Sequence, residues 1–200
     1  MARTDTAYLF DLDGTVTKEE LLPKIARAAA LPDIEDLTRR TMAGEIPFQE
    51  SFRRRVSMLS RVPVETVAEI ILAVPVHEEL MAWIQDHRDQ VWIVTGNVDR
   101  WVRPWLDRWS LRGFASRSEL TDGVLGLPPG GILEKASVLS EFVGMRTVMT
   151  GDGANDAEIV RAADFGIASQ LVHSAPEVLV ESADCIVNDE EALCRVLSRL

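Results

Sequence analysis

Short apolar runs rich in β-branched residues recur along the chain, and most lead into a stretch whose apolar positions follow helical spacing. The runs lie at 7–10, 91–94, 147–149, 165–168 and 185–187, and helical patterns occupy 78–87, 98–109, 132–142, 157–162 and 190–200. Such alternation predicts an α/β fold: a Rossmann-like parallel sheet with helices on its faces. Right-handed crossovers then bring the strand ends to one edge, where ligands usually bind. Residues 16–74 break the alternation and read as successive helices at 19–30, 34–43, 48–60 and 64–73, punctuated by Pro23, Pro32, Pro47 and Pro63. The expected organisation is an α/β core of residues 1–15 and 75–200, with 16–74 forming a helical cap between the first strand and the rest. A short hairpin is expected at 119–125, turning at Thr121-Asp122-Gly123.

Two hundred residues suit one core with an accessory insertion. With 46% hydrophobic and 26% charged residues, the composition is that of a soluble, packed domain. A net charge of −11 argues against nucleic acid and anionic membranes as partners, since both would repel it; Arg53-Arg54-Arg55 is the local exception. The longest apolar run, at 70–76, falls far short of a membrane span, and residues 1–15 lack the layout of a secretory signal, so a cytoplasmic protein is expected. Cys185 and Cys194 have no metal-like spacing and read as reduced. His77, His87 and His173 show no ligand spacing either and are expected in surface or packing roles. Trp101, Trp105 and Trp109 recur every fourth residue, as on a buried helix face or a dimer contact, leaving monomer and homodimer both open.

Three segments carry candidate chemistry. Tyr8-Leu9-Phe10-Asp11-Leu12-Asp13-Gly14-Thr15 is a strand ending in two carboxylates. On an extended backbone Asp11 and Asp13 face one side, and their repulsion is offset most simply by a cation such as Mg²⁺. Gly14 permits a tight turn whose amides face an anion. The plainer alternative is an Asp-Gly turn after a strand. In Gly151-Asp152-Gly153-Ala154-Asn155-Asp156, the flanking glycines aim the Asp152 carboxylate outward, whereas Asn155 or Asp156 also suits a helix N-cap. Oxygen ligands from Asp11, Asp13 and Asp152 suit Mg²⁺ better than zinc. Thr95-Gly96-Asn97 ends a strand at a helix start; it is either a cap or a cradle for phosphoryl oxygens.

In order and placement, Asp11-Leu12-Asp13-Gly14-Thr15, Thr95-Gly96-Asn97 and 151–156 resemble the motifs of the haloacid dehalogenase superfamily, and the helical insertion resembles its cap. The resemblance implies a Mg²⁺-dependent phosphatase: Asp11 is the nucleophile, Asp13 the acid and base, and Thr95 and the Gly14 amide bind phosphate. Asp11, Asp13 (through its carbonyl) and Asp152 hold the metal, with Asn155 and Asp156 supporting its outer shell. Residues 38–48 together with Arg55 are similar to the cap pattern of the phosphoserine phosphatases. That likeness implies that Glu20 takes the substrate ammonium and Arg55 its carboxylate, with Met42 and Phe48 lining the pocket and Gly96 and Asn155 contacting substrate. The superfamily lysine would fall near Pro129; Lys135, about one helical turn beyond, either leans back to replace it or is a solvated surface lysine. The expected substrate is a small phosphorylated metabolite, O-phosphoserine first. Another metabolite phosphatase, a phosphotransferase and a weakly catalytic phospho-ligand-binding protein are the alternatives.

Overall fold

The computed structural model describes residues 5–31, 33–42 and 45–200, the Met42 side chain excepted. Its sheet runs β3-β2-β1-β6-β7-β8, where β1 is Thr6–Phe10, β2 Val91–Val98, β3 Arg112–Ser116, β6 Arg146–Gly151, β7 Phe165–Ser169 and β8 Cys185–Val187. All five pairings are parallel, with Tyr8 opposite Val91 on one side of β1 and Val148 on the other. The α/β expectation therefore holds. β3 was not anticipated, because Arg112-Gly113-Phe114-Ala115-Ser116 carries too few apolar residues to read as a buried run.

β1 shows why the strands sit where they do. Tyr8 and Phe10 pack into one core cluster and Ala7 and Leu9 into the other, so the period-two alternation buries both faces of the central strand. Burying a side chain such as Phe10 or Leu9 contributes roughly 1.5–3 kcal/mol. The second core also takes Val138, Phe142, Ile159 and Val160. The first core extends into α1 (Leu21–Ala28), α2 (Asp33–Met42), α3 (Phe48–Leu59) and α4 (Val64–Leu72). These helices are inserted after β1. The chain leaving β1 and the chain returning are tied together: Lys18 N–H donates to the Pro75 carbonyl (2.8 Å) and His77 N–H to that of Val16 (3.0 Å). α5 is Glu78–Asp86, and α6 (Asp99–Trp109) buries Trp101 and Trp105 fully, the core reading of the tryptophan stripe.

The expected hairpin is β4 (Glu119–Thr121) with β5 (Val124–Gly126). Asp122 and Gly123 both adopt positive φ, 51° and 78°, as a two-residue type I′ turn requires. The hairpin leans on the insertion, the Leu125 amide reaching the Ser60 carbonyl at 3.3 Å. α7 is Ala157–Ala162, α8 Glu177–Val180 and α9 Glu190–Leu197. The expectation of an α-helix over 132–142 needs correction: the segment is a 3₁₀-helix that starts only at Lys135 and runs to Phe142, entered from an extended Glu134 (φ −81°, ψ 96°). Among the described residues no helix is long and apolar enough to cross a membrane.

Candidate active site

β1 and β6 are neighbours whose onward connections run to opposite sides, β1 toward β2 and β6 toward β7, which opens a crevice at their C-terminal ends. Asp11 follows β1, Thr95-Gly96-Asn97 close β2, Asp152 and Asp156 follow β6, and His173 lies in the connection after β7. The helical insertion roofs this edge, leaving a cleft of about 550 Å³ lined by Asp11, Asp13, Glu20, Phe48, Arg55, Gly96, Asp152, Asn155 and His173 among others. A methyl group placed on Gly96 would sit 3.1 Å from the Phe48 ring, so α3 closes directly over the end of β2.

At the base of the cleft Asp11 is only 4% exposed, its amide held by the Thr150 carbonyl at 2.9 Å. Lys135 Nζ donates to Asp11 Oδ1 and Asp156 Oδ1, both at 2.5 Å. Lys135 is buried among these carboxylates and is not a solvated surface lysine. Because the 3₁₀-helix begins at this residue, the lysine stands at the helix entrance and not one turn inside it. Burial pushes the Asp11 carboxyl well above its usual range, Lys135 opposes this, and Asp156, Asp152 and Asp13 reinforce it. Burial works against the charge of Lys135 too, but Asp11 and Asp156 outweigh it and hold the ammonium above its usual range.

The two carboxylates of the first motif both line the cleft but make different contacts. β1 ends at Phe10, and Leu12 begins a turn in which its carbonyl accepts from the amides of Val16 (3.1 Å) and Thr17 (2.9 Å). Asp13 is thereby turned toward the insertion. It accepts from the Leu21 amide at 2.9 Å, the Thr95 hydroxyl at 3.3 Å and Asn97 Nδ2 at 3.4 Å. Burial, then the nearby Glu20 charge, raise the Asp13 carboxyl to about 7. The donors expected to hold phosphate have protein partners here: Gly14 N–H points to the Thr17 hydroxyl (3.3 Å), and the Thr95 hydroxyl also accepts from the Asn97 amide (3.0 Å).

Asp11, Asp152 and Asp156 bring carboxylate oxygens within 4.8 Å of one another, whereas the Asp13 carboxylate is not part of that cluster. Asp152 is 3% exposed, and Thr15 donates its hydroxyl to Oδ1 at 3.1 Å. Its Oδ2 is buried without a hydrogen-bond partner. Gly14, at φ 70°, leaves the space over that atom open; a Cβ there would lie 2.2 Å from it. A buried carboxylate oxygen without a hydrogen-bond donor, beside two further acids, fits a hard divalent cation, which would relieve their mutual repulsion. Asp156 turns its Oδ2 back to the amides of Gly153 (3.0 Å) and Asp152 (3.3 Å), fixing the glycine-flanked turn.

On the roof, Arg55 is 5% exposed while Arg53 and Arg54 are exposed, so the basic run is not one solvated face. Arg55 Nη1 donates to the Thr38 hydroxyl at 3.3 Å, but Nε is buried with no partner. Burial lowers the guanidinium, with Glu20 and Asp13 acting in the opposite sense. Glu20 stands at the N-terminus of α1 without capping it, so its carboxylate is free to line the cleft. Phe48, Gly96 and Asn155 also line it, and the side chain of Met42 lies outside the described residues. Sequence reasoning missed His173: its Nε2 stands 2.8 Å from Asp152 Oδ2 and 3.7 Å from Glu20 Oε1. Those carboxylates, Asp152 foremost, push the imidazole up to about 10. The rule that singled out Thr95, a polar residue following a strand at this edge, applies equally to the connection after β7.

A family model described as haloacid dehalogenase-like hydrolase matches residues 8–161. A Mycobacterium tuberculosis protein described as phosphoserine phosphatase SerB2 is 32% identical over 192 residues, covering 88% of this chain but only 47% of that protein. The phosphoserine phosphatase of Methanocaldococcus jannaschii is 29% identical over 206 residues, 96% of each chain. A solved phosphoserine phosphatase in a substrate-bound complex superposes with a TM-score of 0.80 at 27% identity, covering 98% of this chain and 99% of that one.

Proposed function

This chain belongs to the haloacid dehalogenase-like hydrolase family, and we propose that it is a phosphoserine phosphatase in which Asp11 is transiently phosphorylated. The observation that carries the reading is the pairing of two poles across one cleft: a buried aspartate gripped by a lysine at the base, and a buried arginine with an unpartnered Nε beside Glu20 on the roof. A phosphorylated amino acid has the complementary charges. Its carboxylate suits the planar guanidinium of Arg55, its ammonium suits Glu20, and its phosphoryl group reaches Asp11.

An Asp11 oxygen attacks phosphorus as the phosphorus–seryl oxygen bond breaks, and Asp13 gives its proton to the departing oxygen. The raised Asp13 carboxyl holds that proton near neutral pH. Water then attacks the aspartyl-phosphate, Asp13 takes a proton from it, and the phosphorus–Asp11 bond breaks to release phosphate. Lys135 positions Asp11 and balances charge on the phosphoryl oxygens, and Asp156 holds Lys135 in place. The Thr95 hydroxyl and Gly14 amide exchange their protein partners for phosphoryl oxygens. Asp11, the Asp13 carbonyl and Asp152 would hold Mg²⁺, which would supply further charge stabilisation to the transferring group. Residues 16–74 act as a cap that reads the amino acid and excludes water, their paired connections at 16–18 and 75–77 serving as the hinge. The reading further makes this a cytoplasmic enzyme acting as a monomer or homodimer on a small metabolite.

Asp11→Asn, assayed for phosphate release from O-phosphoserine with Mg²⁺, is expected to lose activity by at least about a thousandfold while its circular dichroism and melting stay those of a folded chain. Turnover in that variant within tenfold of the parent would refute Asp11 as nucleophile.

A further inference from the structure

The histidine after β7 touches the residue that anchors the cation in the reading above, and its geometry is that of a ligand. His173 Nδ1 lies 3.1 Å from its neighbour's carbonyl, that of Ser174. A carbonyl only accepts, so Nδ1 carries the hydrogen and Nε2 is left to face the cleft. A metal-bound imidazole is held in the same way, one nitrogen donating to a carbonyl while the other binds. Nε2 stands 2.8 Å from Asp152 Oδ2, an ion pair when the imidazole is protonated; with the hydrogen on Nδ1, neither buried atom has a hydrogen-bond partner. Two atoms this close can occupy adjacent positions on one octahedral ion. Glu20 Oε1 completes a group of three ligand atoms within 4.8 Å of one another. Asp152 belongs both to this group and to the all-carboxylate group with Asp11 and Asp156.

We propose that His173 is a ligand of the cation held at Asp152, giving this phosphatase a mixed nitrogen and oxygen site that accepts a first-row transition ion such as Mn²⁺ more readily than Mg²⁺. Imidazole adds little affinity for Mg²⁺, which prefers carboxylate, carbonyl and water, whereas first-row transition ions accept nitrogen more readily, Mn²⁺ least and the later ions progressively more. The proposal rests on Asp152 being a metal ligand.

The test uses the full chain with Mn²⁺ alone. Pulsed electron paramagnetic resonance of bound Mn²⁺ is expected to show the nitrogen modulation of a coordinated imidazole, and that signal should change isotope pattern when the histidines are labelled with ¹⁵N. His173→Gln should abolish the signal, weaken Mn²⁺ binding by roughly tenfold or more and weaken Mg²⁺ binding by less than about threefold. Mn²⁺ bound through Asp152, as shown by its loss in Asp152→Asn, but without imidazole modulation in the labelled parent would overturn the role of His173 alone. Equal Mn²⁺ binding by the parent and Asp152→Asn would overturn the metal reading itself, and the histidine proposal with it. The labelled parent needs no substitution, so a folding defect in either variant does not blunt the result.

Discussion

Replacing Arg55 with methionine separates what the residue does for the fold from what it does for the substrate. The guanidinium is almost fully buried, holds the Thr38 hydroxyl at a long 3.3 Å and leaves Nε without a partner. Burial lowers its pKa, so the folded chain favours the charged side chain less than water does. A buried charge that is incompletely paired costs stability, and an apolar chain of similar length stacked on Phe52 relieves that cost. Arg55→Met is therefore expected to melt at the same temperature as the parent or higher. Catalysis should move the other way. A hydrogen-bonded contact to a charged group is worth about 1.5–3 kcal/mol, which converts to a loss of roughly 12-fold to 150-fold. The loss should appear in kcat/KM for O-phosphoserine, carried mainly by KM. An aryl phosphate has no carboxylate to offer, and its kcat/KM should change by less than about threefold. Steady-state phosphate release on both substrates, together with a thermal melt, gives the answer. Equal losses on the two substrates would show that Arg55 does not read the head group, and a sharp fall in melting temperature would show that it is a structural residue.

Two further outcomes follow from the same geometry. Lys135→Met leaves Asp11 buried beside Asp156 and Asp152 without its cation, so urea unfolding of the metal-free protein at neutral pH should show a loss of about 3–5 kcal/mol; the deficit should shrink as pH falls and Asp11 takes up a proton, and a deficit that grows on acidification would contradict the pairing. Gly14→Ala forces a side chain into positive φ and onto Asp152 Oδ2, so it should cost roughly 1–3 kcal/mol and, unlike an ordinary turn substitution, weaken Mg²⁺ binding measured by calorimetry; unchanged Mg²⁺ affinity would mean that the open space over Asp152 is not part of the metal site.

The sequence by itself determined five of the six strands of the sheet, the run of helices after β1 and the acids that follow the strands. Apolar runs with period-two burial mark strands whatever surrounds them, and a glycine on each side of Asp152 is a local instruction to bend. These signals are short-range, so they survive being read one residue after another. Tertiary structure decided which way the long polar side chains point. Lys135 lies about one helical turn beyond the position near Pro129 that the family resemblance implies, yet the 3₁₀-helix starts at the lysine itself and presents it to Asp11, with Val138 and Phe142 packed in the core behind it. Arg53, Arg54 and Arg55 are alike in sequence, and only the seating of α3 over the sheet edge buries the third. His173 lies 21 residues beyond Asp152 and has no ligand-like spacing, yet parallel pairing of β6 with β7 brings the two to the same edge. Side chains that act across a cleft owe their direction to contacts distant in sequence, and linear spacing does not encode those contacts.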